Sequence, residues 1–331
     1  MSVTTKDLAQ ICNVSRTTVS RALHGNGRIN PATKKRILDT ANKLGYEPDL
    51  AARTLVSGKS MMIGVIVVNL KNQYYPRIVN AVAERVLEDD YILNITVHRD
   101  DKAMESKLIS VLTGHRVDGL IISPINKGAA FYKMMENVDI PYCVLGIDEF
   151  KDCPCVGVDE VAAGVDAAKY ILKKGFTNIA FVAPPLYDSD GILNIGHHKR
   201  LTGFKSVMDS QDLGYELITE QKDEEYLEKV LKFVKSSKKE KPALLCSGAV
   251  FAMEIMGYLR QHGLNAPKEY GIMTFDKLRE NDNLWPRLTC IDNHTSTMGR
   301  AAGELIVKMI KGEETEKRVV IPYDIVEGDT L

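Results

Sequence analysis

V-T-T-K-D-L-A-Q-I-C-N-V-S-R-T-T-V-S-R-A-L occupies Val3–Leu23. Its spacing predicts two short amphipathic helices with almost no linker. Thr4 or Thr5 is placed to cap the first, because a side-chain oxygen there accepts from an otherwise unpaired backbone N–H. Leu8, Ala9 and Ile11 are expected to face inward. Cys12-Asn13-Val14 leaves room only for a tight turn between crossed helices. Ser15 then caps a second helix, on which Val19, Ala22 and Leu23 share one face and Arg16, Thr17, Ser20 and Arg21 face out. A helix start with two arginines and short hydroxyls suits a DNA major groove, since arginine matches the guanine edge and the free N–H groups attract phosphate. The plainer reading is a solvated helical hairpin with surface arginines.

Outward from this stretch, His24–Arg28 reads as a loop. Asn30-Pro31 opens a third helix with a cap residue and a proline at the first helical position. Ile37, Leu38, Ala41 and Leu44 are expected to close a core with Leu8, Val19 and Leu23, and Gly45 to end the helix. So small a core is only marginally stable alone. Tyr46-Glu47-Pro48 breaks the helix, and Asp49 is placed to cap a short segment over Leu50–Val56. A segment that short does not hold a helix in water unaided, so it reads as a hinge that orders only against something. Leu55 is the apolar residue for that contact, either as a minor-groove wedge or as the packing point of a flexible linker.

The 331 residues are enough for two or three compact units. Residues 1–60 carry ten Lys/Arg against four Asp/Glu, about +6, whereas the remainder carries 33 against 40, about −7. A basic head on an acidic body points to a polyanion partner for the head alone. No run is long and apolar enough to span a membrane, and Met1–Asp7 has no signal-peptide character, so a cytoplasmic location is expected. Cys12, Cys143, Cys153, Cys155, Cys246 and Cys290 are scattered, as expected of reduced thiols, and the Cys153–Cys155 pair has no second pair or nearby histidine to complete a zinc set.

From Met62 the pattern changes to apolar runs separated by helical stretches. The runs are Met62–Val68, Tyr91–Val97, Asp118–Ser123 and Pro141–Leu145. A second set begins near Cys155 and continues with Asn178–Ala183, Ala243–Ser247 and Tyr270–Phe275. Apolar strands alternating with helices mean parallel sheets covered on both faces. The expected fold is therefore an all-α helix-turn-helix head followed by an α/β body of two lobes, each a doubly wound parallel sheet. A cleft between the lobes at the strand ends is the default place for a small ligand.

Over essentially its whole length the chain resembles the lactose/galactose repressor family of bacterial transcription regulators. Val3–Leu23 is close to that family's head signature, and Asn30–Leu55 (N-P-A-T-K-K-R-I-L-D-T-A-N-K-L-G-Y-E-P-D-L-A-A-R-T-L) to its third helix and hinge. The body adds I-G-V-I-V (Ile63–Val67), N-Q-Y-Y (Asn72–Tyr75), R-V-D-G-L-I-I (Arg116–Ile122), V-D-E-V-A-A-G (Val158–Gly164) and R-L-T-G-F (Arg200–Phe204). The resemblance implies a head over 1–46, a hinge over 47–60 and a body over 61–331. Its lobe one takes 61–158 and 293–318, and its lobe two 159–287 and 320–331, with chain crossings near Val158–Val161, Leu288–Asp292 and Val320–Tyr323. It implies a homodimer, with a tetramer as a variant, on double-stranded operator DNA, a small effector that is a sugar or sugar derivative, and no membrane or cofactor.

By position, Arg16, Thr17 and Arg21 would contact bases, and Ser15, Thr18 and Asn30 phosphates. Thr5 and His24 complete the DNA-facing set, with Leu55 as the wedge and Ala52 beside it on the hinge. In the body, Tyr74, Tyr75, Arg200, Phe275 and Asp276 match effector-pocket positions; aromatic faces stack on rings, and Arg and Asp fork onto hydroxyls. The chain departs from the pattern at Cys246-Ser247-Gly248-Ala249, where many relatives carry Asn-Asp. It also departs after the Pro141 strand, where Gly146 stands in place of an Asp and Asp148 follows two residues later. Asp188 and Asp190 are within reach of the cleft or lie on a solvated loop. His197-His198 diverge on one helix and make a poor metal pair.

Enzyme signatures fail. Gly58-Lys59-Ser60 lacks the glycine that a phosphate loop needs, Arg53 standing there, and it precedes a strand rather than following one. A solute-binding protein or a two-lobed enzyme without DNA function is the alternative, which the basic, capped head argues against.

Overall fold

A computed structural model describes residues 3–24, 28–46, 58–146, 153–187, 194–219, 223–237, 240–278, 283 and 285–331. The chain divides into two compact units, Met1–Ser60 and Met61–Leu331. The hinge expected over Leu50–Val56, with Ala52 and Leu55, lies outside the described residues, as do Asp148, Asp188 and Asp190.

The head comprises α1 (Thr5–Ile11), α2 (Arg16–His24) and α3 (Pro31–Lys43). Thr4, not Thr5, caps α1, and it does so reciprocally: its hydroxyl accepts from the Asp7 N–H while the Asp7 carboxylate accepts from the Thr4 N–H at 2.8 Å. Ser15 caps α2, its Oγ accepting from the Thr18 N–H at 3.1 Å. Asn30 caps α3, accepting from the Ala32 N–H, with Pro31 opening the helix.

Leu8, Ala9, Cys12, Val19, Ala22, Ile37 and Ala41 form the core, with Leu23 and Tyr46 packed against it. Two expectations are corrected. Ile11 is 60% exposed. At about 100° per residue, the arc that buries Leu8 and Ala9 brings Cys12 inward and turns residue 11 away. Leu44 is exposed because α3 stops at Lys43 and Leu44 is its C-cap.

In the body, β1 (Met62–Val67), β2 (Ile92–Val97), β3 (Gly119–Ile122), β4 (Tyr142–Leu145) and β5 (Cys155–Gly157) alternate with α4 (Tyr74–Leu87), α5 (Lys102–Gly114) and α6 (Gly128–Met135). Next come α7 (Glu160–Lys173), β6 (Ile179–Val182), α8 (Ile195–Ser210), β7 (Tyr215–Ile218), α9 (Asp223–Ser236), β8 (Ala243–Cys246), α10 (Ala249–Gln261), β9 (Gly271–Phe275) and β10 (Thr289–Asp292). The chain ends with α11 (Thr295–Lys311), β11 (Arg318–Val320) and β12 (Asp324–Val326). The two sheets run β11-β5-β4-β3-β1-β2 and β12-β10-β9-β8-β6-β7. Each sheet carries an apolar cluster on both faces.

The second sheet does not begin at Cys155: β5 pairs with β4 and β11 and closes the first. Nor are the sheets parallel and covered throughout. β12 runs antiparallel to β10, and β2 is an edge strand with Ile92 and Ile95 exposed. β7, absent from the sequence reading, pairs with β6 at the other edge. β10 belongs to the second sheet, so the middle crossing follows Asp292, at the end of the expected Leu288–Asp292 stretch, and Thr289–Asp292 itself is part of lobe two. The other two crossings follow Gly157 and Val320. All six cysteines are buried free thiols.

Candidate nucleic-acid interface and effector cleft

On α2, Arg16, Thr17, Ser20 and Arg21 are exposed along one side, opposite buried Val19 and Ala22. No acidic side chain stands in the first turn. Ser15 and Thr18 share a hydroxyl–hydroxyl hydrogen bond of 2.8 Å at the same end, so the cap that fixes the helix start also sets their orientation. A hollow beside it is lined by Lys6, Gln10, Asn13, Ser15 and Arg16, which brings a second cation to the edge of the arginine face. Asn30 is exposed at the start of α3, and Thr5 is half-buried at the start of α1. His24 ends α2. Sequence reasoning missed one brace: Arg36 on α3 donates to the Cys12 carbonyl at 3.1 Å and ties the third helix to the turn.

In the body, the loops beyond β1, β3, β8 and β9 and the start of α7 converge. Arg200 is 5% exposed, and three of its five N–H donors are held by protein groups. Nε and Nη2 meet the two Glu160 carboxylate oxygens at 2.6 and 3.0 Å, and Nη1 donates to the Ser247 carbonyl at 2.7 Å. Asp276 lies 3.6 Å away, and the guanidinium stands over the Phe275 ring at 4.6 Å. Burial works against its charge, but Glu160 and Asp276 outweigh burial and hold its pKa above the ordinary value. The expected role is thereby modified: Arg200 is an organiser of carboxylates more than a free fork.

The Tyr74 and Tyr75 rings pack edge to face at 5.1 Å. The Tyr75 hydroxyl bonds Ser123 Oγ at 2.9 Å, and burial pushes its pKa up to about 12. The Tyr74 hydroxyl faces the Met298 sulfur at 3.8 Å; burial, then the Glu160 charge, raises its pKa. Asp276, with φ of +69°, accepts from Asn293 Nδ2 at 2.7 Å. The lobes are bridged alongside: Arg77 on α4 donates to the Lys277 carbonyl at 2.7 Å. Tyr74, Arg200, Phe275 and Asp276 thus gather at one place, with Tyr75 one residue aside. Glu160, Ser247, His197, Asn293 and Arg77 join them unforeseen.

The departure at Cys246-Ser247 has a structural counterpart. Ser247 is fully buried, and its Oγ lies 2.5 Å from His197 Nδ1. Burial first, then the Arg200 charge, pushes the His197 pKa down to about 3. His198 instead faces Thr202, so the two histidines diverge. Among the described residues no group of three or more potential ligands gathers for a metal.

A pH dependence follows. His197 is neutral in the folded body but titrates near 6.5 when unfolded. Its contribution is fully present above pH 6.5 and is lost as pH falls toward 3, because only the unfolded state takes up the proton in that window. Its full slope is about 1.4 kcal/mol per pH unit. Urea unfolding of the body across pH 6.5 to 4.5 is expected to show this one-proton slope beyond that of His197→Asn; parallel profiles would mean the histidine titrates alike in both states.

Comparison with known proteins places the chain. A model of bacterial regulatory proteins of the lacI family matches residues 4–49, and a periplasmic binding protein-like domain matches residues 168–331. The HTH-type transcriptional regulator MalR of Streptococcus pneumoniae is 28% identical over 99% of this chain and 100% of its own. The lac repressor dimer, in a crystal structure with operator and an anti-inducer, superposes with a TM-score of 0.87 at 18% identity over 100% of this chain and 99% of that one. The regulator CelR in complex with cellobiose gives 0.69 at 20% identity, covering 99% of both chains. A capped, arginine-bearing helix-turn-helix head and a two-sheet body with a polar cleft accord with these likenesses: the chain is a DNA-binding transcriptional regulator whose head, over residues 4–49, is of the lacI family.

Proposed function

We propose that the chain represses transcription in the cytoplasm by binding a palindromic operator as a homodimer, and that a sugar or sugar derivative in the interlobe cleft controls it. The head over 1–46 reads the DNA, 47–60 is the hinge, and the body over 61–331 binds effector and dimerises. One observation carries the reading: Arg16, Thr17, Ser20 and Arg21 form an exposed face on a helix whose start is fixed by Ser15. The charge of about +6 over 1–60 supports it. Arg16, Thr17 and Arg21 read base edges; Ser15, Thr18 and Asn30 hold phosphates, with Thr5 and His24 at the margin and Ala52 and Leu55 at the central minor groove. The cleft residues Tyr74, Tyr75, Phe275, Asp276 and Arg200 form the effector site, and no catalytic step is assigned to them. An effector switches the protein only if it binds one lobe arrangement more tightly than the other.

Log affinity for operator is expected to fall steeply and linearly with log salt, at a slope of about −0.9 per phosphate neutralised. Arg16→Ala is expected to weaken operator binding by about 1–3 kcal/mol and to relax preference at one base pair, without changing the salt slope. Gel-shift titrations against singly substituted operators check this. An equal loss on all duplexes would make Arg16 a phosphate contact, and a flat salt response would refute the DNA reading.

A further inference from the structure

The chain enters the body through a turn that its residue type does not favour. Met61, the last residue before β1, has φ of +57°. A side chain with a Cβ is strained there, which leaves this conformation mostly to glycine, asparagine and aspartate. Both backbone polar groups of Met61 are tied down. Its N–H donates to Asp118 Oδ2 at 3.0 Å, and its carbonyl accepts from the Ile92 N–H at 3.0 Å. Asp118 also donates its own N–H to the Met62 carbonyl at 2.8 Å, so one residue grips the chain before and after the turn. Asp118 is half-buried and immediately precedes β3, on a platform that does not yield. A Cβ on the next residue, Gly119, would fall 2.9 Å from Ile306 Cγ1 of α11. From Ile63 and Gly119 onward β1 and β3 pair through their backbones, so the sheet is held without the carboxylate. What the carboxylate holds is the residue at which the chain passes from 47–60 into the body.

We propose that Asp118 is a positioning residue for operator binding: by clamping Met61 in the left-handed conformation, it fixes the direction in which the chain leaves the body toward the head. A dimer reads its half-sites at one fixed spacing, so each head must be delivered within a narrow range of positions. An exit that swivels spreads the heads over more positions and lowers the effective concentration of the second head at its half-site. Phosphate contacts on unrelated sequence need no such spacing. Loss of the clamp therefore weakens operator binding and spares non-specific binding. This rests on the proposed homodimer reading DNA through its heads, with 47–60 as the hinge.

The test uses the full chain and a pair of duplexes: one selected by the unaltered protein from a random-sequence pool, and one of scrambled sequence bound in low salt. Asp118→Ala is expected to bind the selected duplex about tenfold more weakly and the scrambled duplex unchanged. Asp118→Asn keeps an acceptor oxygen and is expected to stay within about twofold of the unaltered chain. The double variant Asp118→Ala with Met61→Gly separates positioning from a general structural role. Glycine takes φ above zero about as readily as below it and needs no clamp, so most of the loss is expected to return. A merely structural carboxylate predicts the opposite, because removing a second side chain adds to the damage. Met61→Pro serves where Asp118→Ala does not fold. Proline has no N–H and cannot adopt positive φ, so it undoes the clamp with Asp118 in place, and the same selective loss is expected. The proposal is overturned if Asp118→Ala or Met61→Pro, once folded, binds the selected duplex as the unaltered chain does, if the loss is equal on both duplexes, or if Met61→Gly recovers none of it. An unaltered chain that binds neither duplex would overturn the DNA reading itself, and this proposal with it.

Discussion

Replacing Arg200 by methionine is expected to cost the body about 3–5 kcal/mol, because it leaves a desolvated carboxylate without its partner. The Glu160 side chain is only 16% exposed and is held through both oxygens by the guanidinium. The stacking of Arg200 on Phe275 is the smaller loss, about 0.5–2 kcal/mol, so the stranded charge decides the outcome. The double variant Arg200→Met with Glu160→Met follows from the same argument. It is expected to recover most of the loss, since an apolar pair avoids the desolvation of both ions. Urea unfolding followed by circular dichroism measures both. If the single variant costs less than about 1 kcal/mol, or the double variant is no better than the single, then Glu160 is solvated and the pair is not the brace of the cleft.

The sequence readings that hold are those set by local rules. The caps at Thr4, Ser15 and Asn30 need only a side-chain oxygen near backbone N–H groups two or three residues on, and all three form. The misread positions are those that depend on where an element stops or what lies beside it. Leu44 keeps helical spacing with Ile37 and Ala41, but the helix ends one residue before it. Tyr215–Ile218 is unremarkable as Y-E-L-I and becomes a strand only because β6 offers it an edge. The Ile92 strand reads as buried because its composition is apolar, whereas its exposed positions follow from its place at the margin of the sheet.

The cleft divides the same way. Tyr74, Tyr75, Arg200, Phe275 and Asp276 are marked in the sequence only by family resemblance, which compares positions without geometry. Glu160 lies 40 residues from Arg200 and Asn293 lies 17 from Asp276. No periodicity links such pairs; the sequence signal for Glu160 is its place inside V-D-E-V-A-A-G, a stretch that carries family likeness and no chemical motif. Once α7 and α8 pack, that stretch and R-L-T-G-F lie against each other, so two separate marks in the sequence become one contact.

Gly203→Ala is expected to destabilise the body by about 3 kcal/mol, because that contact joins backbone to backbone. A Cβ on Gly203 would fall 2.1 Å from the Val161 carbonyl oxygen, and one on Gly164 would fall 2.2 Å from the Arg200 carbonyl oxygen. Neither neighbour is a side chain that can rotate away, so relief requires the two helices to separate. Overpacking of this kind costs about 1–3 kcal/mol where side chains yield, and the upper end applies where backbone must move. Separation would also shift Arg200 on α8 relative to Glu160 on α7, so effector affinity is expected to fall together with stability. Gly257→Ala is the control. Gly257 lies inside α10, is exposed, and has nothing within 4 Å of a built Cβ. Removing glycine from an open helix interior is expected to stabilise by about 0.5–1 kcal/mol. Urea midpoints of the two variants should therefore move in opposite directions. If Gly203→Ala unfolds at the midpoint of the unaltered chain, α7 and α8 pack further apart than the structure has them, and the Glu160–Arg200 pairing that depends on their approach loses its basis.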